Sequence, residues 1–161
     1  MPDPTQFQTL FAYHWHTTDR LITCATHLDE QDYRENPGYG HGSIHDLLFH
    51  LLRTNAGWRG ALQTGKQLAP LNAEDYPSLD ALQAGMAQEQ AAWDNLLARW
   101  DAADLQAEMD LTNWRGEVVR FTRWHILQHV ILHGMQHHSE LAQLLTNKGQ
   151  SPGNLDFLFF V

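Results

Sequence analysis

Four long stretches of this chain repeat their apolar residues at three- and four-residue steps, separated by clusters of Gly, Pro and Asn. Such a chain buries its apolar surface by packing helix against helix. The first stretch runs from about Thr5 to His27, with Phe7, Leu10, Phe11, Trp15, Leu21, Ile22 and Ala25 as its stripe. Asp32 to Gly42 reads as a loop, because Pro37, Gly38, Gly40 and Gly42 all oppose helix. Ser43 then caps a second helix, with Asp46 three residues on in a near capping box. That helix extends to about Leu62, ahead of Gly65, and Leu47, Leu51, Thr54 and Trp58 form its buried stripe.

After a polar loop, Ser78 caps a third helix whose inner face carries Leu79, Leu82, Met86, Trp93, Leu96, Leu97 and Trp100. The period changes between Met109 and Phe121, where two short runs around a Gly-containing turn predict a hairpin. Thr122 caps the fourth helix, which reaches about Asn147 before Gly149 and Pro152 stop it. The tail from Asn154 to Val161 is too apolar for water and is expected to pack on the bundle or on a partner. The predicted fold is therefore all-α, one four-helix bundle domain over residues 1–161 with a short β-hairpin-like insert before the last helix.

Charge and composition narrow the partners. A net charge of -9, with only Lys66 and Lys148 as lysines, repels a phosphate backbone, so no nucleic acid is expected. No apolar run is long enough to span a bilayer, so no membrane is expected either. The start of the chain has no basic leader, and the single cysteine, Cys24, lies in an apolar helical stretch, which together predict a cytoplasmic setting.

Among the 11 histidines, the fourth helix places His125, His129, His133 and His137 at successive four-residue steps. Residues one turn apart share a face, so each neighbouring pair can chelate one ion. Ile126, Val130, Leu141 and Leu144 mark the inward stripe; His137 falls inside it and His133 on its flank, while His125 and His129 rotate outward. A third ligand must come from another helix, and His50, flanking the second stripe, is the best placed, whereas His45 points away. Three imidazoles leave coordination positions open, as catalytic sites do. Imidazole suits zinc, nickel, iron and copper, and manganese stays among the candidate divalent ions. His14, His16, His129 and His138 are read as surface or supporting residues, and Glu140 as part of a solvated face, with hydrogen bonding to His137 as its other reading.

Other chemistries lack a foothold. Gly60 to Gln67 approaches a phosphate-binding loop but has Gln67 after Lys66, where a Ser or Thr would hold magnesium, and it follows a helix. There is no GluxxHis pair for a di-iron site, and no HisGluxxHis, GlyxSerxGly or CysxxCys.

Three segments, Ser43 to Leu52 around His50, Asn113-Trp-Arg-Gly116, and His129 to His138 followed by Leu144 to Pro152, resemble the DinB/YfiT family of metal-dependent enzymes. The resemblance covers nearly the whole chain. It implies a bundle of up-down-down-up connectivity holding one divalent ion, with His50, His133 and His137 at the family's ligand positions. Where many relatives carry HisArgGlyGln after the ligand pair, this chain has His138-Ser139-Glu140, so an arginine role does not carry over. The resemblance also implies a homodimer, and an enzyme that uses a small-molecule thiol on an electrophilic substrate, as a transferase or isomerase. Trp58, Trp124 and Tyr13 are candidate pocket residues for that reading. A stress-associated bundle with a structural metal and a metal-dependent hydrolase are the alternatives, and the hydrolase needs a general base that the sequence does not single out.

Overall fold

A computed structural model describes residues 2–66, 70–112 and 115–161. Its long helices are α1 (Pro4–Ala25), α3 (Ile44–Thr64), α4 (Leu79–Leu97) and α6 (Arg123–Asn147). Two short helices, α2 (Glu30–Arg34) and α5 (Ala102–Gln106), sit in the connections, and strands β1 (Glu108–Thr112) and β2 (Val118–Thr122) pair antiparallel, with Asp110 opposite Arg120. Asn113 and Trp114 of the hairpin turn, and Gln67 of the phosphate-loop-like stretch, lie outside the described residues. No described helix is long and apolar enough to cross a membrane.

Side-chain pairs across the interfaces give each helix its direction. His14 and Thr18 of α1 meet Gly134 and His138 of α6 in ascending order, so those helices run parallel. Leu52 and Arg59 of α3 meet Gly85 and Glu89 of α4 in the same sense. In contrast, His50 meets His133 while Trp58 meets His129, and Gln8 meets Leu97 while Phe11 meets Trp93, so α3 opposes α6 and α4 opposes α1. The bundle is up-down-down-up, with α1 and α3 on one diagonal and α4 and α6 on the other.

Local chemistry explains most helix ends. Ser43 and Asp46 exchange backbone hydrogen bonds in a complete capping box, and Ser78 accepts from the Ala81 amide. Several expectations need correction. Thr122 precedes α6, but its side chain makes no capping bond; the Arg123 amide instead donates to the Ala107 carbonyl, 3.0 Å away, so the hairpin fixes where α6 starts. The segment read as a loop from Asp32 begins inside α2, which Asp29 caps. Helix α4 ends at Leu97, leaving Trp100 half-buried beneath Arg123. In α3 the buried stripe runs through Leu47, Leu48, Leu51, Leu52 and Asn55, and Thr54 and Trp58 are only half-buried.

The tail folds back on α1. The Tyr13 hydroxyl donates to the Leu155 carbonyl at 2.6 Å, and the Phe157 and Phe160 rings pack on Tyr13 at 5.2 and 5.7 Å. Leu158, Phe159 and Val161 remain exposed.

The α1–α6 seam is unusually close and carries imidazole in its interior. A Cβ on Gly134 would lie 2.5 Å from both Nδ1 and Cε1 of His14, so only glycine lets the ring in. His14 and His138, read from sequence as surface or supporting residues, are instead 2% and 1% exposed. Their rings lie 4.8 Å apart; His138 Nε2 pairs with the Thr18 hydroxyl at 2.9 Å, and neither nitrogen of His14 has a partner among the described residues. Burial, helped by the nearby His133, pushes the His14 pKa down to about 4, and burial holds His138 well below the usual histidine value.

Two outcomes follow from this seam. Gly134→Ala brings in a better helix former together with a steric clash against His14 and should lower stability by about 1–3 kcal/mol in chemical denaturation, against the roughly 1 kcal/mol gain that replacing an unhindered helical glycine would give. Because His14 has a folded pKa of about 4 against 6.5 for a free imidazole side chain, the unfolded chain binds more protons between those limits. Stability is therefore full above that window and falls as pH drops through it, at about 1.4 kcal/mol per unit for each such group. Urea midpoints of metal-free protein between pH 7 and 4.5 should fall steeply, and a flat profile would contradict the buried neutral imidazole.

Candidate metal centre

The facing sides of α3 and α6 bring His50, His133 and His137 together. The His133 Nε2 lies 3.2 Å from the His50 Nε2 and 3.0 Å from the His137 Nε2. Helix geometry accounts for the pair on α6, since residues one turn apart stack on one face. The antiparallel crossing of α3 supplies the third ring. His137 is 1% exposed, whereas His50 and His133 are half-buried.

Each imidazole nitrogen offers one in-plane position, filled by a proton or a lone pair. The His137 Nδ1–H donates to Glu140 Oε2 at 2.9 Å, which leaves its Nε2 as a lone pair aimed at the cluster. Whichever way His133 is protonated, its Nε2 can satisfy only one of its two neighbours. A cation satisfies all three lone pairs. Tetrahedral coordination at about 2.0–2.1 Å places neighbouring nitrogens about 3.3 Å apart, close to the separations found here. The donor set therefore fits a divalent transition-metal ion.

Electrostatics agrees with that fit. Burial first, then the neighbouring His41, His137 and His133, pushes the His50 pKa down to about 4. Burial followed by His137 and His129 takes His133 to about 4 as well. Both rings are neutral near pH 7, the form that binds metals. Burial works against the Glu140 carboxylate, but hydrogen bonds from His137 and Gln136 outweigh it and hold its pKa below the usual glutamate value. Glu140 is thus an anchored acceptor rather than part of a solvated face.

Sequence reasoning missed His41. Its ring stacks on His50 at 4.0 Å between centroids and meets His137 edge-on at 4.8 Å. His41, His50 and His137 can each offer a ligand atom with all three inside 4.8 Å of one another. The available signal was its place in Gly38-Tyr-Gly-His-Gly42, a short span before the helix that carries His50.

The remaining histidines lie elsewhere. His129 is exposed and packs edge-on against Trp58 at 5.1 Å, and His125 is exposed against Trp124 at 3.9 Å. His45 turns from the cluster but is buried, its Nδ1 3.0 Å from the Tyr33 hydroxyl. Tyr13 serves the tail on α1, so it does not line the site.

Beside the cluster a cavity of about 320 Å³ opens between the loop before α3 and the following turns of α6. Tyr39, His41, Leu47, Glu140, Gln143 and Leu144 line it. The mixed apolar and polar wall suits a small organic ligand.

Comparison with known proteins agrees with the fold. YizA of Bacillus subtilis (strain 168), an uncharacterized protein, is 24% identical over 148 residues, spanning 92% of this chain and 91% of YizA. Among solved structures, YfiT of Bacillus subtilis is described as a probable metal-dependent hydrolase with an unusual four-helix bundle topology. It superposes with a TM-score of 0.71 at 11% identity, covering 94% of this chain and 92% of its own. YjoA of Bacillus subtilis, a DinB-like protein, gives 0.68 at 18% identity over 91% and 94%. The sequence profile of the DinB family matches residues 1–161, and the chain belongs to that family.

Proposed function

We propose that this protein is a metal-dependent enzyme in which His50, His133 and His137 hold one divalent ion and a small-molecule thiol is the nucleophile, transferred to an electrophilic substrate. The observation that carries the reading is that His133 Nε2 sits 3.2 Å from the Nε2 of His50 and 3.0 Å from that of His137, two contacts that one proton cannot satisfy together. A bound ion supplies Lewis acidity, lowering the pKa of a thiol or water molecule so that it reacts in deprotonated form near neutral pH.

The chain's own residues do the positioning. Glu140 accepts the Nδ1 proton of His137 and so fixes the tautomer that turns Nε2 inward. Leu47 and Leu144 give the adjoining cavity an apolar wall for an organic substrate, and Gln143 adds a polar contact. Thiol chemistry needs no separate general base once the sulfur is deprotonated. That favours it over hydrolysis, because the nearby carboxylates are engaged: Glu140 by His137, and Asp46 by the amide and hydroxyl of Ser43. Hydrolysis remains the second reading on the strength of the fold shared with YfiT.

Metal-loaded protein assayed with glutathione, bacillithiol or mycothiol and a chlorinated aromatic electrophile should consume thiol in step with product. Chelation, or His133→Ala, should remove at least 100-fold of that rate, the order expected when a Lewis acid contributing several kcal/mol is lost. Absence of turnover with all three thiols, alongside metal-dependent hydrolysis of an activated ester or amide, would replace the transferase reading with the hydrolase. Absence of both activities would leave a structural metal.

A further inference from the structure

His41 differs from the three clustered imidazoles in the element that carries it. The others are fixed by long helices, whereas His41 is exposed on the loop between α2 and α3. Gly38, Gly40 and Gly42 in that loop all have positive φ, at 82°, 63° and 94°. Such backbone is accessible to glycine and strained for other residues, so the loop's course around His41 is set by its glycines. Gly42 is pinned, since a Cβ there would lie 2.7 Å from the Asp46 carboxylate, while Gly38 and Gly40 have open space around them.

The ring also borders both the cluster and the adjoining cavity. One face stacks on His50 at an interplanar angle of 20°, and the same residue lines the cavity shared with Tyr39, Glu140 and Leu144. Nitrogens of His41, His50 and His137 all lie within 4.8 Å of one another, beside the contacts of 3.2 and 3.0 Å that His133 Nε2 makes with His50 and His137. That 4.8 Å limit exceeds a tetrahedral edge of about 3.3 Å by no more than about 1.5 Å, a short excursion for a loop side chain.

We propose that His41 is a fourth, exchangeable imidazole ligand. It closes the coordination shell in the resting protein and gives up its position to the sulfur of a small thiol entering from the adjoining cavity. The proposal rests on the metal reading above. Exchange is a ligand substitution without redox: the metal–nitrogen bond to His41 breaks, a metal–sulfur bond forms, and the thiol proton passes to the released imidazole or to water. Holding an exposed loop side chain on the ion costs conformational entropy that the helix-borne ligands do not incur, so His41 is the ligand that leaves.

The test uses the full chain loaded with cobalt(II) and titrated with 2-mercaptoethanol, with d–d bands reporting the ligand set and the near-ultraviolet sulfur-to-cobalt band reporting thiol entry. His41→Ala should alter the d–d bands and weaken cobalt binding several-fold. It should also reach half-saturation at a thiol concentration on the order of tenfold lower, because an internal competitor is gone. Circular dichroism and thermal unfolding should show both proteins folded alike. Identical d–d bands in the two proteins, equal half-saturating thiol concentrations, or no sulfur band in either, would overturn the role of His41 while leaving the three-histidine site intact. Failure of wild-type protein to take up cobalt would overturn both.

Discussion

One imidazole nitrogen, His133 Nε2, lies at hydrogen-bonding distance from two others and can satisfy only one of them with a proton, and the α3–α6 interface is organised around that deficit. Neutral imidazole is costly to bury unless both nitrogens find partners. The seam supplies Glu140 for the outer nitrogen of His137 and leaves the inner nitrogens facing each other. Packing elsewhere makes this arrangement hard to relax, because Leu47, Leu51, Ile126 and Val130 hold the two helices in register on buried apolar surface.

Helix α6 has two imidazole faces. Towards α3 it presents His133 and His137, and towards α1 it presents His138 and the bare backbone of Gly134, against which His14 packs. The two groups are continuous through the adjacent His137 and His138, so the shape of the α1–α6 seam sets the rotation of α6 and with it the aim of His133 and His137. Because α1 and α3 both border α6, from opposite ends of one diagonal of the bundle, these are neighbouring faces of one helix. The connectivity is thus part of how the site is built, since a simple up-down bundle would place different helices beside α6.

Much of this was legible from residue pattern. The stripe of Ile126, Val130 and Leu141 orients His137 inward and His133 to its edge, and in the bundle His137 is buried and His133 half-buried; the flank position of His50 on the facing helix was readable in the same way. Ser43, Gly65 and Ser78 mark helix ends because capping is local chemistry. What escaped was non-local. The inward burial of His14 and His138 depends on which helix lies against the second face of α6, and a single stripe does not reveal that a central helix buries two. Thr122 looked like a cap, yet a hydrogen bond across the hairpin base does that work. His41 reaches the site through a loop whose path is set by glycines rather than by any period, so no wheel projection could place it.

The central claim is that imidazoles of α3 and α6 share one ion. X-ray absorption at the metal edge, on untagged protein whose metal content has been counted, tests it most directly. The account predicts one ion per chain with at least three imidazole nitrogens at about 2.0–2.1 Å, and loss of that shell in His50→Ala and His133→Ala. A shell of oxygen alone, or an ion that survives both substitutions with its scattering unchanged, would contradict it.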